Sequence, residues 1–182
     1  MSVEVLGTER LVLRPFNPED AEFILRLLNE PSFIQNIGDK GVRTLEQSVR
    51  YLLEGPIQSY GLHGHGLLCA ELRDTGQPIG MCGLLRRNPA QEPDLGYAFL
   101  PEAWGQGYAL EAATAVLESG VQGLGFSKIL ALVAPGNARS IQLLQKLGFT
   151  FSRTAPTHPG DEPVSMYEWC PRDLRPSFPA AH

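Results

Sequence analysis

The segment EAWGQGYALEA, Glu102 to Ala112, constrains this chain more than any other, because it sets two glycines where a loop turns into a helix. Glycine adopts backbone conformations closed to other residues, so Gly105 and Gly107 permit a tight turn and leave room beside it for a bulky anion. From Tyr108 to Leu124 the residues Leu110, Ala113, Leu117, Val121 and Leu124 recur at helical spacing, the apolar stripe of a helix packed on a sheet. The first N–H groups of such a helix lack partners within it and point, with the positive end of its dipole, at whatever the loop cradles. Gln106 gives the loop no basic side chain, so a pyrophosphate would depend mainly on the backbone N–H groups of Gly105 to Ala109.

Other phosphate-binding patterns are weak. Gly123-Leu124-Gly125 follows a helix and lacks the third glycine of a dinucleotide fingerprint, and no G-x-x-x-x-G-K-[ST] occurs. Downstream, NARSIQLLQKLGF reads as a helix capped by Asn137 and stopped at Gly148. Around these segments the chain alternates between strand and helix patterns. Strands are predicted at 8–16, 66–73, 78–87, 94–100, 128–134, 149–154 and 164–169, and helices from Asn17-Pro18 and from Thr44, the second breaking at Gly55-Pro56. A polar loop should run to Arg43. These elements make a mixed α/β or α+β sandwich whose strand order does not follow from spacing.

A chain of 182 residues with 43% hydrophobic residues and a net charge of -5 suits one domain over 1–182, with 1–7 and 171–182 loosely held. The acidic balance disfavours a nucleic-acid partner and suits a cationic one such as an amine. No basic-then-apolar leader opens the chain and no apolar window approaches a membrane span, so the expectation is a cytoplasmic protein with no membrane contact. Cys69, Cys82 and Cys170 fit no zinc spacing and are expected as reduced thiols, with Cys69 and Cys82 near each other across a hairpin turn at Asp74 to Gly76. His63 and His65, in GLHGHG, lack further metal ligands nearby; substrate contact suits that loop better, and no metal is expected.

Taken together, WGQGYALEA and NARSIQLLQKLGF resemble the GCN5-related N-acetyltransferases, in particular the ribosomal-protein-alanine acetyltransferase branch with its WGxGYAxEA and NxxSxxLLxKLGF patterns. The resemblance is strongest from Asp94 to Phe149. It implies a mixed central sheet of about seven strands flanked by about four helices, with the fourth and fifth strands parallel and splayed into a V for the pantetheine arm of acetyl-CoA. The cofactor-binding residues it implies are Leu100, Gly105, Gln106, Gly107, Tyr108, Ala109, Asn137 and Ser140. Trp104, which matches this branch, is read as a packing residue.

The implied reaction is direct acetyl transfer from acetyl-CoA to a primary amine, either a protein or peptide N-terminus or a small amine, by a monomer or homodimer. The alternative is a catalytically silent acyl-CoA-binding module. Many relatives place a tyrosine four residues before the Gly-Phe pair, where this chain has Leu144, so Ser140 becomes the candidate proton donor to the leaving thiolate. Asp94, at the start of the strand bordering the cofactor, is the candidate base or amine anchor, with backbone N–H groups of that strand stabilising the oxyanion.

Overall fold

Alternation along the strands sends side chains to two opposite cores. In the computed structural model, which describes residues 2–87 and 92–171, β1 (Leu6–Gly7), β2 (Leu11–Pro15), β3 (Leu67–Leu72), β4 (Pro78–Leu85), β5 (Asp94–Phe99), β6 (Ile129–Val133), β7 (Thr150–Pro156) and β8 (Pro163–Trp169) form one sheet. Its order is β1-β2-β3-β4-β5-β6-β8-β7. The mixed α/β class is as expected, and the strand beyond the expected seven is β1. Of the ends expected to be loosely held, Leu6 and Gly7 pair with Leu13 and Val12, while 172–182 lie outside the described residues.

Leu68, Ala70, Cys82 and Leu84 point to the face covered by α5 (Tyr108–Gln122) and α6 (Ala138–Leu147). Leu67, Cys69 and Met81 point to the other, covered by α1 (Ala21–Leu28), α2 (Pro31–Asn36) and α3 (Leu45–Leu52). This alternation separates Cys69 from Cys82: Cys82 pairs with Leu68 rather than Cys69, and the two thiols enter different cores. Burial holds the Cys69 thiol up at about 12 and raises that of Cys82, so both stay protonated.

Three elements depart from the sequence expectation. The polar loop before Arg43 contains α2, opened by Pro31 in its first turn. The second predicted helix does not break at Gly55-Pro56. Proline lacks an N–H and its ring crowds the carbonyl four residues back, but the turn Leu53–Ile57 widens to a π-helix and carries α3 on into α4 (Gln58–His63), which stops at Gly64 with φ 74°. In α5 the buried side is Ala112, Ala113, Val116, Leu117 and Gly120, while Leu124 is exposed beyond its end. Small residues let this helix close on the sheet: a Cβ on Gly120 would lie 2.6 Å from Leu84 Cδ1. Among the described residues no helix is long and apolar enough to cross a membrane.

The predicted substrate loop is structural at its centre. His65 is buried, its Nδ1 is 2.7 Å from the Leu84 carbonyl oxygen, and its ring meets Phe126 edge-on. Because a carbonyl accepts, Nδ1 carries the proton. Burial, with smaller contributions from His63 and Arg86, lowers the His65 pKa against the opposing pull of the Leu84 carbonyl. The unfolded chain therefore takes up a proton near pH 6.5 that the folded chain refuses, so this stability is complete above that pH and is lost as pH falls below it. Thermal melts from pH 8 to pH 5 should show the loss in the wild type and a shallower one in His65→Gln. Parallel curves would remove His65 as the cause.

Candidate active site

The glycine loop takes the conformation that its composition demands. Gly105 and Gly107 have φ of 73° and 82°, in the left-handed region, and Gly107 is the residue from which α5 starts. Glu111 N–H to the Gly107 carbonyl, 3.1 Å, is the first bond of the helix, which leaves the N–H groups of Tyr108, Ala109 and Leu110 without helical acceptors. A Cβ on Gly105 would meet nothing within 4 Å. Charged side chains brace the loop from behind. Arg10 donates from Nε to Glu111 at 2.7 Å and from Nη1 to the Gln106 carbonyl at 2.8 Å, and its guanidinium lies 4.4 Å from the centre of the Tyr108 ring. Thr8 donates its hydroxyl to the same Glu111 carboxylate at 2.6 Å.

A cavity of about 900 Å³ runs from this loop through the sheet. Among the described residues β5 and β6 are the one parallel pair of neighbours, and they pair only at Asp94 with Leu130, where Leu130 N–H reaches the Pro93 carbonyl at 2.9 Å. Beyond that point they part, which is the expected V. Both faces of β5 line the opening: Leu95, Tyr97 and Phe99 on the α5–α6 side, Gly96 and Ala98 on the other. Leu100 N–H donates to the Ile79 carbonyl of β4 at 2.9 Å. By the alternation of an antiparallel ladder, the backbone polar groups of Tyr97 and Phe99 then turn away from β4 toward the V. Trp104 donates its indole N–H to the Phe99 carbonyl at 2.9 Å, and Arg139 stacks over its ring, so it fastens the loop to the strand end.

Across the V from β5, Asn137 caps α6, its side-chain oxygen accepting from Ser140 N–H at 3.2 Å. Ser140 Oγ hydrogen-bonds the Tyr97 hydroxyl, so two hydroxyl groups meet on the cavity wall between β5 and α6. Burial raises the Tyr97 pKa to about 12, and the bond to Ser140 only partly opposes it. The phenol therefore keeps its proton at neutral pH. Tyr97 was no sequence-level candidate; its signal was its place on the strand predicted to border the V.

Of the nine candidate catalytic and cofactor-binding residues, Gly105, Gly107, Tyr108, Ala109, Asn137 and Ser140 line this one cavity. The other three stand differently. Gln106 gives its carbonyl to Arg10 and its side-chain amide N–H to the Glu102 carbonyl, 3.0 Å, which fixes the turn. Leu100 is buried, with its N–H taken by Ile79. Asp94 lies behind the wall rather than in it: both carboxylate oxygens reach Arg87 Nε, at 3.1 and 3.2 Å, and Arg87 is the residue that lines the cavity. Burial raises the Asp94 pKa despite that guanidinium. His63 and His65 do not line this cavity.

The wall has a charge that the whole chain does not. Among the described residues it holds Lys40, Arg87, Arg139 and Lys146 and no aspartate or glutamate. The acidic total thus misjudges the site, because the carboxylates sit elsewhere or behind it.

Comparison with known proteins agrees with this architecture. The family model described as an acetyltransferase (GNAT) domain matches residues 10–150. The uncharacterized protein YkkB of Bacillus subtilis (strain 168) is 31% identical over 166 residues, covering 90% of this chain and 94% of YkkB. The acetyltransferase from Agrobacterium tumefaciens str. C58 superposes with a TM-score of 0.78 at 27% identity, over 93% of this chain and 95% of that one. RimL, a ribosomal L7/L12 alpha-N-protein acetyltransferase solved in complex with coenzyme A, reaches a TM-score of 0.78 over 92% of this chain and 98% of its own, and at 16% identity it shows likeness of fold alone. Since the family match begins at the Arg10 brace, takes in the glycine loop and the V, and ends in β7, the chain belongs to the GNAT family and is an acetyltransferase.

Proposed function

We propose that this chain, as a single domain, transfers the acetyl group of acetyl-CoA directly to a primary amine. The observation that carries the reading is the Tyr97–Ser140 hydroxyl pair, set on the cavity wall between β5 and α6. The cofactor fits the residues present: two left-handed glycines open a cradle at a helix N-terminus, no carboxylate among the described wall residues repels a pyrophosphate, and Arg139 and Lys146 add positive charge along α6. Acetyl-CoA, when bound, supplies a thioester whose acetyl carbon an amine can attack and whose sulfur departs as a thiolate.

The chain's own residues divide the remaining work. Backbone N–H groups from Gly105 to Ala109 hold the pyrophosphate, and the N–H of Tyr97, facing the V, is the donor for the thioester oxygen. Ser140 Oγ gives a proton to the leaving sulfur, the Tyr97 hydroxyl replaces it, and the proton that the amine sheds once it has attacked returns to Tyr97, whose burial favours the protonated phenol. Asn137 holds the first turn of α6 so that Ser140 faces Tyr97. Asp94, the candidate base by sequence, is assigned the different task of orienting Arg87. With no carboxylate among the described wall residues to take its proton, and with Lys40 and Arg87 disfavouring an ammonium, the amine enters neutral. An α-amine, with a pKa of about 8, supplies that form far more readily than a lysine side chain near 10.4. RimL, by its name, acts on one such α-amine, a protein N-terminus.

Thiol release from acetyl-CoA with a panel of amines and peptides, read together with the mass of the acceptor, tests the proposal. Release should require an acceptor, rise with pH through the amine's own pKa, and add one acetyl group to that amine. Acetyl-CoA binding without turnover on any acceptor would point instead to an acyl-CoA-binding module.

A further inference from the structure

The two ends of the cavity are chemically distinct. One is the glycine loop; the other lies on the opposite face of the sheet, where α2, the loop after it, α3 and the end of β4 supply Phe33, Lys40, Tyr51 and Leu85. Arg87 stands at this second end, because the Asp94 that binds it is the residue at which β5 and β6 join. Arg87 acts electrostatically on both Lys40 and Tyr51, so the three groups share one neighbourhood. Lys40 is exposed as a residue, yet burial lowers its pKa, with the like charge of Arg87 adding to the effect. Two cations are thus gathered against a single carboxylate. Among the described residues Asp94 is the one group that hydrogen-bonds the Arg87 side chain, and it does so through Nε.

Partly shielded like charges repel unless an anion is brought between them. We infer that the acceptor supplies that anion: it is a free α-amino acid with an apolar side chain, its carboxylate held by Arg87 and Lys40 while Phe33, Met81 and Leu85 receive the side chain. The inference rests on the acetyl-transfer reading above and names the substrate class for it. A guanidinium binds a carboxylate through a planar fork, and a lysine adds a point charge, so the pair both anchors and orients the acceptor. A peptide N-terminus places a neutral carbonyl where the amino acid has its charge, and leaves Asp94 as the single counterion near the two cations among the described residues. Holding the carboxylate also fixes the adjacent amine one carbon away, which gives it a defined line of approach.

Matched pairs of acceptors test this. Leucine, methionine and phenylalanine are each compared with their amides and with an amidated tetrapeptide of the same first residue, in the wild type and in Lys40→Met. The amide's amine deprotonates more readily, so a preference for the acid runs against intrinsic reactivity. The expected result is a kcat/KM at least ~10-fold higher for the acids than for amides or peptides, as a charge-assisted contact would give, and a fall of about that size in Lys40→Met for the acids alone. Equal use of acid and amide, or faster turnover of the tetrapeptides, overturns the inference and leaves acetyl transfer standing. If no acceptor releases thiol, the transfer reading fails, and binding then decides the anion question. Calorimetry with coenzyme A present should find N-acetyl-leucine at least ~10-fold tighter than N-acetyl-leucinamide in the wild type, and the two alike in Lys40→Met. Equal affinities in the wild type overturn it there as well.

Discussion

Ser140→Ala should lower kcat by about 10²-fold while acetyl-CoA affinity stays near that of the wild type, because a proton given to the departing sulfur is a contact that develops only as the thioester breaks. The substitution removes one oxygen. It leaves intact the Ser140 N–H that Asn137 caps, so α6 should keep its start. Tyr97→Phe removes the other half of the hydroxyl pair and should lower kcat to a similar extent. Since the two act as one unit, the double variant should be little worse than either single one, a strong departure from additivity. Multiplying effects, with each hydroxyl contributing independently, would dismantle the relay, and wild-type turnover in Ser140→Ala would assign the proton to water or to the amine itself.

Gly107→Val should abolish the stabilisation that acetyl-CoA confers on the wild type. A ligand bound only by the folded state contributes about 2.7 kcal/mol at a hundred times its Kd, roughly 5–10 °C in Tm for a chain of this length. At Gly107, with φ 82°, a β-branched side chain is both strained and placed 3.3 Å from Arg10 at its first carbon, so the turn that aims the N–H groups of α5 must open. Circular dichroism of the variant without ligand checks that the fold survives. A folded Gly107→Val with the full shift would mean that the cradle is not where the pyrophosphate is held.

Local chemistry made much of this molecule legible in advance. Thr44 accepts from Gln47 N–H and Asn137 from Ser140 N–H, as residues of those types do at helix starts, and both helices begin where their caps announce them. The glycines of the loop follow from the same short-range rules, whereas the buried side of α5 is turned from the expected stripe toward Ala112, Val116 and Gly120. What stayed hidden depends on contacts between distant segments. Tyr97 and Ser140 are 43 residues apart, and only the V brings them together. Asp94 was placed on the right strand, but strand identity does not say that its carboxylate turns to Arg87 behind the wall. The helix that runs through Pro56 survives because a π-turn absorbs the proline, a tertiary outcome that propensity opposes. Net charge misled for a related reason: it sums over the surface, while a site is defined by the few charges that face it.

The brace behind the glycine loop bears on the order in which the molecule can be completed. Arg10 and Glu111 are separated by 101 positions, so the turn that looks most local in the sequence is held by one of the longest-range contacts in the chain. Closing so large a loop is entropically unfavourable until the segments between are already packed, and contacts of this separation form slowly. A fragment beginning after β2 would contain every residue of the cradle but would lack Thr8 and Arg10, the two partners that hold Glu111. On the proposed function, the anion site is therefore a product of the finished topology: it should reach its working form only when the first strands have docked, which would tie the capacity to bind a cofactor to the completion of folding.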